Sequence, residues 1–169
     1  LERRALERRP DTEYDALVLA AAGLERAGLT VSASVAPLDR SSFVPAPGQG
    51  AIAVTALDGS EASEAINEAI DHPRTRVETT VERVVLEELG GGCIAPIGIH
   101  AVVKGAYVHV DAAVYDRAGE QCVDGHRDLP VENYVETARD FADSLRDRGA
   151  AELVAAAEDA ANDDGATRS

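Results

Sequence analysis

IGIHAVVKGAYVHVDAAVYDRAGEQCVDGHRDL, residues 97–129, is the stretch that decides the fold. In three runs, residues 97–103, 107–115 and 121–129, β-branched or apolar residues recur or alternate with polar ones. Lys104-Gly105 and Arg117-Ala118-Gly119 supply the turns between them, so the pattern predicts an antiparallel meander. Upstream, a helix is expected from Pro73, at or near its first turn, to Leu89, burying Val77, Val81, Val84, Val85 and Leu89 and ending at Gly90. Downstream, residues 131–146 read as a helix with an apolar face of Val131, Tyr134, Val135, Ala138, Phe141, Ala142 and Leu145. Gly149 separates it from an Ala-rich helix running through Ala161, and NDDGATRS reads as a frayed tail. From about Asp71 onward the chain is therefore expected to form a self-sufficient α+β unit.

The preceding segment differs. Residues 1–9 have helical composition with four arginines, ended by Pro10-Asp11. DALVLA (residues 15–20) suits a buried strand and leads into AAGLERAGL, a short helix stopped by Gly28, as in α/β architecture. Residues 32–42 read as irregular, and GAIAVTAL (residues 50–57) as a second buried strand entered through a rigid loop. Ser60 is a plausible N-cap for an amphipathic helix to Asp71, with Ala62, Ala65, Ile66, Ala69 and Ile70 on one side. Two isolated strands cannot make a sheet, so their partners are expected from outside this chain.

The 169 residues carry 31 Asp+Glu against 16 Lys+Arg, a net charge of −15, with 45% hydrophobic and only 4% aromatic residues. Phosphate neutralisation needs clustered Lys and Arg, so this balance argues against a nucleic-acid binder. The longest apolar run, residues 16–24, is about half the roughly 18 residues of a membrane span. A soluble, cytoplasmic protein is expected. Lys104 is the sole lysine, which with abundant Asp, Glu and Ala suggests a salt-adapted cytoplasm. In about 1 M salt the Debye length falls to about 3 Å, so dense surface carboxylates no longer repel strongly. A solvated acidic face on a mesophilic protein is the alternative. Cys93 and Cys122 read as reduced thiols. The first residue is Leu1 and methionine is absent, so the numbering is expected to start inside a longer gene product.

GGGCIAPIG (residues 90–98) is the sharpest chemical feature. Each glycine in an ordered segment costs about 0.5–1 kcal/mol relative to alanine, and one would suffice to cap a helix. Gly91 and Gly92 beside Cys93 would let a backbone approach a bulky group and expose the sulfur as a nucleophile; a helix stop followed by a buried thiol is the competing reading. Cys122 reads as a core or strand thiol. PAPGQGA (residues 45–51) places Gln49, able to donate and accept, beside Gly50, or else forms a hinge. Arg26 could offer a fork to a carboxylate, or stand on the surface paired with Glu25 or Asp39. His72, His100, His109 and His126 are scattered without the spacing of a zinc site, so no metal constellation is expected. Neither a Ser-His-Asp order nor a phosphate-binding glycine loop stands out.

DTEYDALVLAAAGLERAGL (residues 11–29), PAPGQGAIAV (45–54), VERVVLEELGGGCIAPIGIHA (81–101) and the closing βββ-helix order together resemble the C-terminal half of the porphobilinogen deaminase (hydroxymethylbilane synthase) family. The likeness runs from about Asp11 to Ala160, and the composition fits an archaeon of a salty habitat. The resemblance implies the end of a periplasmic-binding-protein-like α/β two-domain unit, followed by a C-terminal α+β domain with a three-stranded antiparallel sheet. It implies that residues 1–43 end the second domain, 44–71 return to the first, and 72–169 form the cofactor-attachment domain. By the same likeness Cys93 matches the cysteine that carries a dipyrromethane cofactor through a thioether, flanked by Gly91 and Gly92. Arg26 matches an arginine that binds cofactor or substrate carboxylates, and Gln49-Gly50 a segment near the pyrrole-binding cleft. The implied activity is stepwise condensation of four porphobilinogen molecules, with loss of ammonia, to hydroxymethylbilane in heme biosynthesis. The family's catalytic aspartate lies outside this chain, so an N-terminal half is the implied partner, and the complete protein is expected to be monomeric.

Two other classes remain open: a non-catalytic binding or regulatory module with an unmodified cysteine, and a redox protein using Cys93 and Cys122. The charge pattern predicts a melting temperature that rises steeply with KCl. Thermal unfolding followed from dilute to molar KCl checks this, and a flat profile would overturn the salt-adapted reading.

Overall fold

The computed structural model describes residues 16–28, 35–40, 42–92 and 95–166. It divides into two compact units, Leu1–Asp39 and Arg40–Ser169. In the first, helix α1 (Ala21–Arg26) is short and ends through Gly28 at φ +58°. Residues 16–20 precede it without regular secondary structure, so the expected strand over 15–20 does not form in its described part. The expected helix over residues 1–9 lies outside the described residues, whereas residues 35–40 are irregular as anticipated.

The second unit is built on the meander. Strands β1 (Ile97–Lys104), β2 (Tyr107–Tyr115) and β3 (Cys122–Pro130) form an antiparallel sheet in the order β1-β2-β3. Its register runs from Ile97↔Val114 to Lys104↔Tyr107, and from Tyr107↔Pro130 to Tyr115↔Cys122. The first turn uses Gly105 at φ +62°. In the second, the Asp116 carboxylate accepts the N–H groups of Glu120 (2.8 Å) and Gln121 (3.0 Å), holding the loop that delivers β3 into register. Because side chains alternate across a strand, Ile99, Ala101, Val108, Val110, Ala112, Val114 and Leu129 are buried together on one face.

Helices cover that face. Helix α2 (Glu61–Ile70) comes first, with the Ser60 hydroxyl accepting from Ser63 N–H as expected of an N-cap. Its apolar side is not buried against the rest of this unit. Helix α3 (Pro73–Glu88) is capped by His72, whose Nδ1 accepts from Thr75 N–H, with Pro73 in the first turn where its missing donor costs nothing. Val81, Val85 and Leu89 pack into the core. After a 3₁₀ turn (Val131–Asn133), helix α4 (Tyr134–Arg146) adds Ala138, Phe141, Ala142 and Leu145, and α5 (Ala150–Ala166) adds Ala150 and Val154. The result is one helical layer on one sheet face, the α+β arrangement expected. Helix α5 continues past Ala161, where a frayed tail was expected. Among the described residues no helix is long and apolar enough to cross a membrane.

The expected buried strand over residues 50–57 is absent: the segment is unpaired, with Ile52 80% and Leu57 83% exposed. A strand is stabilised by ladder bonds and facing side chains, and nothing among the described residues supplies either for this segment.

These packing differences predict unequal mutational costs. Leu145→Ala, at a site with no exposure, is expected to destabilise the chain by about 2–5 kcal/mol in denaturant unfolding. Ile52→Ala is expected to change it by less than about 0.5 kcal/mol.

Candidate functional site

The C-terminus of α3 and the loop after it are held by backbone geometry. Gly90, at φ +71°, donates to Glu87 O, and Gly91 donates to Leu86 O at 3.0 Å, which together satisfy two of the helix's terminal carbonyls. Gly91 also faces the core: a Cβ there would stand 2.5 Å from Ile97 Cδ1 and 2.7 Å from Leu86 Cδ1. Sequence reasoning assigned one glycine to the cap and the others to room for a ligand. The structure requires Gly91 for packing, so its small size admits Leu86 and Ile97. A Cβ on Gly92 would lie 3.3 Å from Glu158 Oε1 on α5. Cys93 itself lies outside the described residues.

The loop at 45–50 is tied to the same domain through the outer edge of β1. That edge would otherwise present unpaired donors. Instead Ile99 N–H donates to Pro45 O (2.9 Å), Ala101 N–H to Glu82 Oε1 (2.8 Å) and Val103 N–H to Glu78 Oε1 (2.9 Å). Gly98 permits the approach, since a Cβ there would stand 2.4 Å from Val44 O. Glu82, 5% exposed, uses its second oxygen to accept from Gly48 N–H at 2.7 Å. One buried carboxylate thus joins α3, the sheet edge and the turn that carries Gln49. Two charge-assisted hydrogen bonds of about 1.5–3 kcal/mol each offset its burial. His100 stands beside it, Nδ1 3.6 Å from Glu82 Oε1 and Nε2 3.4 Å from Arg40 Nη1.

Gly48 at φ +72° and Gly50 at φ +87° bracket Gln49, whose side chain is exposed. A shallow pocket of about 170 Å³ opens there, lined by Gln49, Gly50, Thr75, Thr79, Glu82 and His100 among others. The structure therefore gathers Gln49, Gly50, Glu82 and His100. Arg26 is exposed in the last turn of α1, in the other unit. Sequence reasoning missed Glu82. The available signal was a carboxylate set directly beside the core positions Val81 and Val85.

Two further features lie on the sheet. Cys122 lies on β3, meeting the strand side of the expectation, and is exposed. Tyr115 pairs with it across the strands, and interaction with the Cys122 side chain, burial and Asp124 raise the Tyr115 pKa above the ordinary phenol value. Strand pairing also brings His109, His126 and Asp128 together, with one ligand atom of each within 4.8 Å of the others. Their separation along the chain hides this.

Comparison with known proteins matches two family models. Residues 3–65 match one described as "Porphobilinogen deaminase, dipyromethane cofactor binding domain", and residues 76–147 one described as "Porphobilinogen deaminase, C-terminal domain". Arg26, Gln49 and Gly50 fall in the first match, and Gly91, Gly92 and Cys93 in the second. A probable porphobilinogen deaminase of Halobacterium salinarum is 51% identical over 91% of this chain and 39% of its own length. One of Methanosarcina barkeri is 36% identical over 88% of this chain and 47% of its own length. The porphobilinogen deaminase of Campylobacter fetus is 38% identical over 87% of this chain and 48% of its own length. The chain thus spans less than half the length of each of these curated relatives. With consecutive segments matched by two models of one family, and relatives of the same name aligned along most of its length, the chain belongs to the porphobilinogen deaminase family and carries its C-terminal domain.

Proposed function

We propose that the chain is part of a hydroxymethylbilane synthase, a transferase that condenses four porphobilinogen molecules head to tail with release of ammonia. The observation that carries the proposal is that the cofactor-binding model and the C-terminal model match consecutive segments of one chain. In this proposal residues 1–43 end the second domain, 44–71 return to the first and 72–169 form the cofactor-attachment domain. The family's catalytic aspartate lies in the part of the protein this chain does not contain. The complete protein acts as a cytoplasmic monomer.

Dipyrromethane fits the chemistry of Cys93, because a thiolate is a nucleophile that can form a stable thioether to carbon. When bound there, the group supplies a permanent primer to which each new pyrrole is added. The chain's own residues then have distinct tasks. Cys93 Sγ fixes the primer at the end of the α3 loop. Gly92 keeps the backbone beside it slim, and Gly91 seats that loop on the core by admitting Leu86 and Ile97. Arg26 pairs with acetate or propionate carboxylates in two parallel hydrogen bonds. Gln49 offers an amide that donates and accepts, and Gly50 lets the backbone come close to a pyrrole ring. Glu82 acts through the loop: by accepting Gly48 N–H it sets where Gln49 points.

Two measurements follow. Intact-mass analysis of the full-length protein is expected to show an adduct of two pyrrole units that disappears in Cys93→Ser; an unmodified thiol in wild-type protein would overturn the proposal. Glu82→Ala leaves two donors, at Gly48 and Ala101, without their acceptor, at about 1–3 kcal/mol each. It is expected to lower the melting temperature and to raise KM for porphobilinogen more than it lowers kcat.

A further inference from the structure

The sheet face away from the helices carries a cluster for which the proposed condensation has no use. His109 on β2 pairs in register with Asp128 on β3, and Asp111 with His126. Residues two apart along a strand share a face, so all four side chains stand on the same side. His109 Nδ1 lies 2.6 Å from Asp128 Oδ1, and His126 Nε2 lies 3.4 Å from that same oxygen. His126 Nδ1 lies 2.9 Å from Asp111 Oδ1. The two imidazoles are stacked, with centroids 6.5 Å apart and planes inclined by 20°.

We propose that His109, His126 and Asp128 form a binding site for a divalent transition-metal ion of the zinc, nickel or copper class, with Asp111 orienting His126. The donor set selects this class. Magnesium and calcium take shells of oxygen, whereas imidazole nitrogens with one carboxylate suit the later first-row ions. The positions of the two ring nitrogens of His126 support it independently. A metal-bound histidine characteristically gives its other N–H to a carboxylate, which fixes the tautomer and the ring orientation. Asp111 Oδ1 accepts Nδ1–H in this way, leaving Nε2 as the lone-pair nitrogen that faces Asp128 and His109. Ligand atoms already within 4.8 Å of one another need side-chain rotation only, on partly or fully exposed groups, to meet an ion at bonds of about 2.0–2.2 Å. Water completes the coordination. Cys122 and Asp124 lie on the same face of β3, so thiolate ligation is the competing arrangement that a test must separate.

Cobalt(II) is the probe. The full chain, reduced and held at neutral pH in molar KCl without chelating buffer, is titrated while visible absorption is recorded, and zinc then displaces the cobalt. One saturable equivalent is expected, with d–d bands and no thiolate-to-metal charge-transfer band. His126→Ala and Asp128→Asn are each expected to weaken it by about tenfold or more. Cys122→Ser is expected to leave it unchanged. These side chains lie outside the core, so circular dichroism and the melting temperature should match wild type in each variant. Absence of a saturable equivalent in wild type, saturation that survives both His126→Ala and Asp128→Asn, or a thiolate charge-transfer band would each overturn the proposal.

Discussion

The pairing register of the three-stranded sheet is the constraint on which the second unit depends. Val108, Val110, Ala112 and Val114 are fully or almost fully buried, and each is flanked by a residue facing the other way. A slip of one residue would turn this row to solvent and drive His109 and Asp111 under the helices, where unpaired polar groups cost several kcal/mol. The burial pattern therefore permits one register, and Gly105 and the Asp116 turn deliver it. Helices α3 and α4 then have a single apolar surface to cover. The same register aligns the outward donors of β1 at Ile99, Ala101 and Val103 with Pro45, Glu82 and Glu78. An edge that could template association is thereby closed from within the chain.

Closing that edge also ties the fold to the site. Glu82 is a core-facing charge satisfied by two backbone donors, one in the sheet and one in the turn beside Gln49. The exposed side chain of Gln49 is thus placed by a buried interaction, and so retains freedom to meet a ligand while its backbone is fixed. Arginine use follows a related division. Arg74, Arg76 and Arg139 pair with Glu78, Asp71 and Glu88 on the surface, contacts worth about 0.2–1 kcal/mol each and weakened further by salt. Under the proposed function, recognition of a polycarboxylate by a chain of net charge −15 would rest on short-range contacts that survive screening, such as the fork Arg26 can offer.

Much of the second unit was legible because its signals are local. Pro73, Gly90 and Gly149 mark helix boundaries by φ preference and missing donors, and the period-two runs give strands whose ends lie within one residue of the observed ones. The segments at 15–20 and 50–57 were read as strands from apolar runs alone. Their partners were expected from outside this chain, and in it neither segment is paired among the described residues, because a strand is a property of a pair. The third kind of miss is Gly91, read as space for a ligand and found filled by Leu86 and Ile97. A glycine in the sequence reports that a side chain is absent, without saying which neighbour takes the place.

The sequence by itself determined the helices of the second unit, the meander, the acidic composition and, through GGGC and PAPGQGA, the family. These follow from neighbours in the chain, whose spacing sets periodicity, caps and turns. Only the tertiary structure decided that Glu82 bridges Ala101 and Gly48, that Gly98 makes room for Val44, and that His109, His126 and Asp128 meet. Each of those joins residues far apart in the chain, and their meeting is set by strand register and the packing of a helix on a sheet edge, which no local pattern encodes.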